Sequence, residues 1–329
     1  MNSIIEQFSG KKVLIIGDVM VDAYIMGKVE RVSPEAPVPI VNIESLDNRL
    51  GGAANVALNI HALGAIPLLC TVIGDDKEGI EFLNILDKYQ MGHQGILKSQ
   101  DRKTTTKTRV LGNKHQLLRL DNEVTHDLCE HDQNALLNLV NEMLPKCDVV
   151  ILQDYNKGVL TSSNIPLIIQ MAKTAGKPIA VDPKKKNFLS YNGVTLFKPN
   201  LKEIKEGLNS DNNLKVKSNL IEAVKELNKH LNNSITMVTL SEDGVMITDH
   251  QSFDFIPAHL RNISDVSGAG DTVISVASLC LACNTEMHNI AELSNLAGGL
   301  VCEENGVVPI DLEKLNKEFS VLFNKESNH

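Results

Sequence analysis

What this sequence lacks narrows it quickly. Positive charge is in deficit: 32 Lys and Arg stand against 41 Asp and Glu, a formal net charge of −9. That balance argues against nucleic acid or an anionic membrane as the main partner. No segment joins a basic start to a long apolar run, and none is long enough to span a bilayer, so the expected setting is the cytoplasm. The six cysteines (Cys70, Cys129, Cys147, Cys280, Cys283 and Cys302) are scattered through mostly apolar segments. Buried free thiols are expected there, even at Cys280-x-x-Cys283, which has no second pair or histidine ligands nearby. The sequence has no G-x-x-x-x-G-K-[S/T], no G-x-G-x-x-G after its first strand, no G-x-S-x-G and no H-E-x-x-H. P-loop, dinucleotide, serine-hydrolase and zinc-peptidase readings therefore lose their signatures. His61, His115, His126 and His259 lack metal-ligand spacing and read as ordinary histidines.

What is present is an alternation. Apolar runs of strand length fall at 12–17, 67–74, 148–152, 178–182, 194–197 and 235–240. Helical patterns fall between them, at 76–89, 130–144, 162–175 and 214–231, with one beginning near Asn200. An amphipathic run from Gly51-Gly52 ends near Leu63-Gly64, a hairpin is expected at 244–257, and helices 269–283 and 287–304 close the chain. This rhythm predicts an α/β sandwich on a mostly parallel sheet, with its site off the carboxyl ends of the strands. Two stretches break it. Residues 21–48 hold Pro34, Pro37 and Pro39 and predict an irregular or edge-strand excursion. Thr104–Val110 and His115–Leu120 alternate around Gly112-Asn113 as a hairpin should. Together they predict a small β lid on one core domain spanning 1–329, inserted at about 20–50 and 98–122.

The chemistry gathers around Asp265-Val266-Ser267-Gly268-Ala269-Gly270-Asp271-Thr272. Two glycines around an alanine let the backbone turn tightly and present N–H groups to an anion, and the helix that follows adds its positive end. Asp271 puts a carboxylate at that mouth. An anion cradle beside a base suits phosphoryl transfer to a hydroxyl. Polar residues also follow the predicted strands: Asp18, then Asp154-Tyr155-x-Lys157, Asp182-Pro183-Lys184, Asn200-x-x-Glu203 and Thr239-x-Ser241. In a parallel sheet all of these converge on one edge. Asn200-x-x-Glu203 is open to two readings: a carboxylate that holds Mg²⁺ through water, or a helix capping box, which the pattern satisfies equally.

These motifs resemble the ribokinase-like (PfkB-type) carbohydrate kinase family. One family signature matches Gly51-Gly52-x-x-Asn55, then Ala57, Gly64 and Gly74; the other matches Asp265-x-x-Gly268-Ala269-Gly270-Asp271-Thr272. Val276 departs from the usual Ala or Gly, a packing variation. The resemblance covers nearly the whole chain and implies a three-layer sandwich with a β lid. It implies that Asp271 is the general base and that the N–H groups of Gly268, Ala269 and Gly270 stabilise the transferring phosphoryl group. ATP and Mg²⁺ follow, with a monovalent cation left open. Asn200 and Glu203 would organise Mg²⁺ and the phosphates, Glu203 through water. Thr239, Ser241 and Gly244 would wall the nucleotide pocket, with Asn295 and Gly306 near the adenine. Asp18, Gly51, Gly52, Asn55 and Asp154 would meet the sugar, and Lys107, Arg109, Lys157 and Lys184 a phosphate already on it.

Within the family, Gly17-Asp18-Val19-Met20-Val21-Asp22-x-Tyr24, Arg31-Val32-Ser33-Pro34-Glu35-Ala36-Pro37-Val38-Pro39 and Gln116-Leu117-Leu118-Arg119-Leu120-Asp121 are most similar to the D-glycero-β-D-manno-heptose 7-phosphate 1-kinases. Asn48-Arg49-Leu50 is less typical of that group, which leaves room for a kinase of another sugar, sugar phosphate or nucleoside. A catalytically silent sugar-phosphate sensor is the alternative of another class. The sequence carries no H-x-G-H motif, so no adenylyltransferase domain is expected and any following adenylyl transfer falls to another protein. Lid pairing, common in the family, implies a homodimer.

Overall fold

The computed structural model describes residues 4–113 and 115–326. In chain order the first elements are β1 (Lys12–Gly17), β2 (Val19–Val32), β3 (Pro39–Gly52), α1 (Ala53–Ala62), β4 (Ile66–Gly74), α2 (Lys77–Lys88), β5 (Ile96–Ser99), β6 (Thr106–Gly112) and β7 (His115–Asn122). Next come α3 (Glu130–Met143), β8 (Val149–Gln153), α4 (Asn164–Thr174), β9 (Ile179–Asp182), β10 (Leu196–Phe197), α5 (Leu201–Gly207), α6 (Lys217–Leu231) and β11 (Ile235–Thr239). The hairpin β12 (Val245–Thr248) and β13 (Phe253–Ile256) and the helices α7 (Ala269–Ala282), α8 (Met287–Val301) and α9 (Leu312–Glu326) complete it.

The main sheet runs β13-β12-β11-β10-β9-β8-β1-β4-β5 and is parallel except where β12 pairs antiparallel with β11 and β13. Its inner strands are apolar on both faces because helices cover both. Val13 and Ile15 point to the side packed by α1, α2, α7, α8 and α9, and Leu14 and Ile16 to the side packed by α3, α4, α5 and α6. The result is a three-layer sandwich, as the resemblance implies. β1 is the switch point: the chain leaves it toward β4 and β5 on one side and toward β8 and β9 on the other. Crevices open outside the carboxyl ends at such points. Among the described residues no helix is long and apolar enough to cross a membrane.

A second sheet, β3-β2-β6-β7, forms the lid. Here the excursion at 21–48 differs from expectation. It is two 14-residue strands, and β2 is central, antiparallel to β3 and parallel to β6. The prolines allow this because Pro34 and Pro37 lie in the connecting bend and Pro39 is the first residue of β3. The second insertion begins later than 98, since β5 pairs with β4 in the main sheet and the lid strand β6 starts at Thr106. Helix α1 is not amphipathic: every residue from Ala53 to Ile60 is buried, because lid, sheet and α7 all close on it. The chain also ends in a further helix, α9, whose Leu315 and Phe319 pack on the α7 side of the core. Val276 is fully buried inside α7, and Cys70, Cys147, Cys280 and Cys302 are buried while Cys129 and Cys283 are partly so.

Candidate active site

Strand register assembles the site. Gly17 pairs with Gln153, Gln153 with Asp182, and Val181 with Phe197. Asp18, Gln153, Asp182 and Lys198 are thus set side by side at the carboxyl ends of β1, β8, β9 and β10. The N-terminus of α7 faces this row. Gly268, at φ +83°, starts the helix, and a Cβ there would stand 3.0 Å from Asn55 Nδ2.

Asp271, in the first turn, is 4% exposed. Its Oδ2 accepts from Asn55 Nδ2 at 2.8 Å, and its Oδ1 from the Tyr155 hydroxyl at 2.7 Å and Gln153 Nε2 at 3.0 Å. Burial pushes its pKa up to about 6 although Asn55 and Tyr155 favour the anion. Such a carboxylate is ionised at neutral pH yet basic enough to take a proton. Burial, then Asp271 itself, keeps the proton on Tyr155. Asn59 completes the frame: its Nδ2 donates to the Asn55 carbonyl, and its Oδ1 accepts from Thr272 Oγ1 and Ile310 N. The Ala269 N–H is turned onto the Val266 carbonyl at 3.3 Å, whereas those of Gly268, Gly270 and Asp271 have no acceptor among the described residues. The open N–H groups are thus those of Gly268, Gly270 and Asp271, with Asp271 in the place expected for Ala269.

Three residues expected to meet sugar are held otherwise. The Asp18 carboxylate accepts from the backbone N–H groups of Tyr155, Lys157 and Val159 at 2.8–3.0 Å and so pins the loop that delivers Tyr155. Burial raises its pKa against those three bonds. Asn55 spends its amide on Asp271. Asp154 is fully buried beneath the loop, bonded by Tyr191 Oη at 2.7 Å, Asn187 Nδ2 at 3.1 Å and Asn156 N at 2.7 Å, and burial pushes it up to about 6. Gly51 and Gly52 are needed for close approach: a Cβ on Gly51 would lie 2.2 Å from Asp22 Oδ2, and one on Gly52, at φ +60°, 2.5 Å from the Asp18 carbonyl oxygen.

On the nucleotide side, Asn200 and Glu203 form a reciprocal capping box on α5, and Glu203 Oε1 also accepts from Lys184. Burial opposes the Lys184 charge, but Asp182 and Glu203 outweigh it and raise its pKa. The donors here are oxygens, and Asp182 Oδ1 and Gln153 Oε1 are buried acceptors without a hydrogen-bond donor. A hydrated hard cation such as Mg²⁺ fits that chemistry. Thr239 bridges to Asn200, and Ser241 and Gly244 flank a cleft of about 480 Å³ lined by Leu201, Leu214, Leu240, Asp243, Phe255 and Pro257. Asn295 donates to the Pro257 carbonyl at the rim of that cleft. Gly306 lies elsewhere: a Cβ on it would stand 2.8 Å from Arg49 Nη1 and 3.4 Å from Tyr24 Oη, so it packs under the lid.

The lid turns two rungs of charge toward the site. Across the strands, Arg49, Asp22, Lys107 and Asp121 are paired in one row, and Asp47, Tyr24, Arg109 and Arg119 in the next. Arg49 and Arg109 both stack on Tyr24, at 4.9 and 5.3 Å, and Arg109 pairs with Asp22. Arg49 also donates to the Val307 carbonyl at 3.1 Å. Lys107 makes no ion pair among the described residues, and burial followed by Lys157 lowers its pKa. Lys157 itself pairs with Glu123 at 2.7 Å.

A family profile described as pfkB family carbohydrate kinase matches residues 10–314. The chain belongs to that family. Among curated relatives, it is 38% identical over 312 residues to the bifunctional protein HldE of Desulfatibacillum aliphaticivorans, covering 94% of this chain and 63% of that one. It is 39% identical over 294 residues to HldE of Wolinella succinogenes, covering 89% and 61%. The chain thus spans about three fifths of the length of these relatives. In fold, this pfkB member is similar to Escherichia coli phosphofructokinase-2 in complex with potassium, with a TM-score of 0.79, 17% identity and coverage of 95% and 99%. Arabidopsis thaliana ribokinase complexed with ribose and ATP gives 0.70, 16%, 94% and 99%. The fold agrees with membership of the pfkB carbohydrate kinase family.

Gln153, Lys198, Asn59 and Arg49 line the site although sequence reasoning left them out, and Asp182 was placed at the sheet edge without a role of its own. Asn59 was legible as the i+4 neighbour of Asn55, and Arg49 as sharing a strand face with Asp47 and Gly51. Lys198 had a signal too, as a charged residue just after the short apolar run 194–197.

Proposed function

We propose that the chain phosphorylates D-glycero-β-D-manno-heptose 7-phosphate at O1, giving the 1,7-bisphosphate, with Asp271 as general base. The observation that carries the chemistry is Asp271 itself: buried, held by Asn55, Tyr155 and Gln153, and standing at a helix end with open N–H groups. In the step, the anomeric oxygen bonds to the γ-phosphorus as the bond to ADP breaks. The hydroxyl proton passes to Asp271, and the leaving electron pair stays on ADP. The open N–H groups of α7 lower the cost of the charge that develops. Mg²⁺, when bound, neutralises charge on the ATP phosphates, and Glu203 would hold it through water. The cleft beside Ser241 and Gly244 has room for the adenosine.

The substrate assignment is supported by the heptose-kinase motifs, the HldE relatives and the lid. Lys107 is half-buried without an ion pair among the described residues, and burial followed by the Lys157 charge disfavours its own charge, so an incoming anion would find a cation with little compensation there. Arg109 offers the planar fork suited to a phosphate already on the sugar. The test is a turnover panel with heptose 7-phosphate, fructose, ribose and adenosine. Heptose 7-phosphate should lead by at least tenfold in kcat/KM; a free sugar or nucleoside in front overturns the assignment. Purified protein that binds the sugar phosphate without releasing ADP would make it a sensor.

We further infer a homodimer through the lid. Leu46, Ile25, Val110 and Leu118 form one rung on the lid face opposite Arg109, and Leu46, Leu118 and Leu120 are more than half exposed. A second copy of this lid is the self-complementary cover that such a face admits.

A further inference from the structure

Lys198 has no task in the mechanism above. It follows β10, is 3% exposed, and its Nζ lies 3.0 Å from Asp182 Oδ2. A Cβ built on Gly270 would lie 3.7 Å from that Nζ. The ammonium therefore sits over the first turn of α7, where the Gly270 and Asp271 N–H groups have no acceptor among the described residues. Asp182 Oδ2 would lie 3.9 Å from the same Cβ, so the ammonium, its carboxylate partner and the positive end of the helix border one space, and an anion entering it would meet the ammonium and the helix end together. Asp182 does not by itself account for Lys198. It also accepts from Gln153 Nε2 at 3.3 Å and has Lys184 Nζ 3.6 Å from its other oxygen.

We propose that Lys198 is a further catalytic residue whose Nζ meets the γ-phosphoryl group of the nucleotide at the N-terminus of α7. The proposal rests on the phosphoryl-transfer reading of this site. Lys198 keeps its proton throughout; the hydroxyl proton goes to Asp271, and the electron pair of the broken bond stays on ADP. Its contribution is charge stabilisation in a water-poor site, where loss of one such group lowers kcat roughly 10²–10³-fold. Asp182 is the positioning residue that fixes the ammonium.

The experiment measures binding of Mg·AMP-PNP and Mg·ADP by titration calorimetry, which needs no sugar. In Lys198→Met, AMP-PNP affinity should fall at least tenfold relative to ADP, with ADP within about twofold of the unmodified protein. The double variant Lys198→Met/Asp182→Asn removes both buried charges, so it remains informative if the single variant folds poorly. It should show the same selective loss. An unchanged AMP-PNP to ADP ratio in Lys198→Met overturns the proposal. So does recovery of that ratio in the double variant, since Lys198 would then only neutralise Asp182. Unmodified protein that binds neither nucleotide would instead overturn the phosphoryl-transfer reading, and this proposal with it.

Discussion

The edge of the main sheet and the inner face of the lid both line the site, yet they are built on opposite terms. At the sheet edge and the α7 end that faces it, the carboxylates of Asp18, Asp154 and Asp271 are buried, and each holds at least three hydrogen bonds from named donors. On the lid, Arg49, Arg109 and Lys107 are only partly buried, and Arg49 and Arg109 lean on one tyrosine ring. Buried, fully bonded groups keep their geometry before substrate arrives. Half-buried cations on a small sheet can rearrange around a ligand. The edge should therefore govern kcat and stability, and the lid should govern KM.

The largest effect that would break this division is at Asp271. Asp271→Asn should lower kcat roughly 10²–10⁴-fold with the thermal transition retained; an undiminished rate would remove Asp271 from the chemistry. The same residue sets a pH signature. Its pKa of about 6 should place the acid limb of kcat/KM near pH 6, with about tenfold loss for each unit below. Stability runs the other way. Because the folded pKa lies above the ordinary 3.8, the contribution is full below 3.8 and is lost as pH rises through 6. Relative to Asp271→Asn, the unmodified protein should thus gain up to about 3 kcal/mol between pH 7 and 4, read by urea denaturation.

Next in size is Asp18→Ala. It strands three backbone donors and should cost roughly 3–5 kcal/mol in denaturant stability. A variant that keeps its stability and loses only sugar affinity would return Asp18 to a direct sugar contact. On the lid, Arg109→Met should raise KM for the sugar phosphate roughly ten- to a hundredfold while kcat stays within about threefold. A fall in kcat with KM unchanged would erase the distinction between the two regions. The smallest catalytic change is expected from Leu118→Glu, on the outer lid face. Light scattering should show the dimer split, with kcat within about twofold; a monomeric unmodified protein would refute lid pairing.

Much of the fold was legible because its signals are local. The strand and helix rhythm followed from apolar run lengths and periods, and the hairpin at Gly112-Asn113 lies where the turn residues put it. In the 21–48 excursion β3 is the expected edge strand, but the central place of β2 was missed because proline argues against a central strand, whereas here the prolines lie in the bend and at the start of β3. Helix α1 was misread because an element enclosed on all sides shows no polar face to time its period.

By itself the sequence determined that one carboxylate, Asp271, would stand at a glycine-opened helix end, since both the turn and the helix signal are encoded in neighbouring residues. It also placed Asp18, Asp154, Asp182 and Asn200 at the sheet edge, because chain position after a strand suffices for those. What each of those groups would bond to was decided only by tertiary structure. Asp18 went to the loop at 155–159, Asn55 to Asp271, Glu203 to Lys184, and Gly306 beneath Arg49. The reason is physical: a buried polar group takes the donors or acceptors that packing brings within reach, and these come from residues distant along the chain.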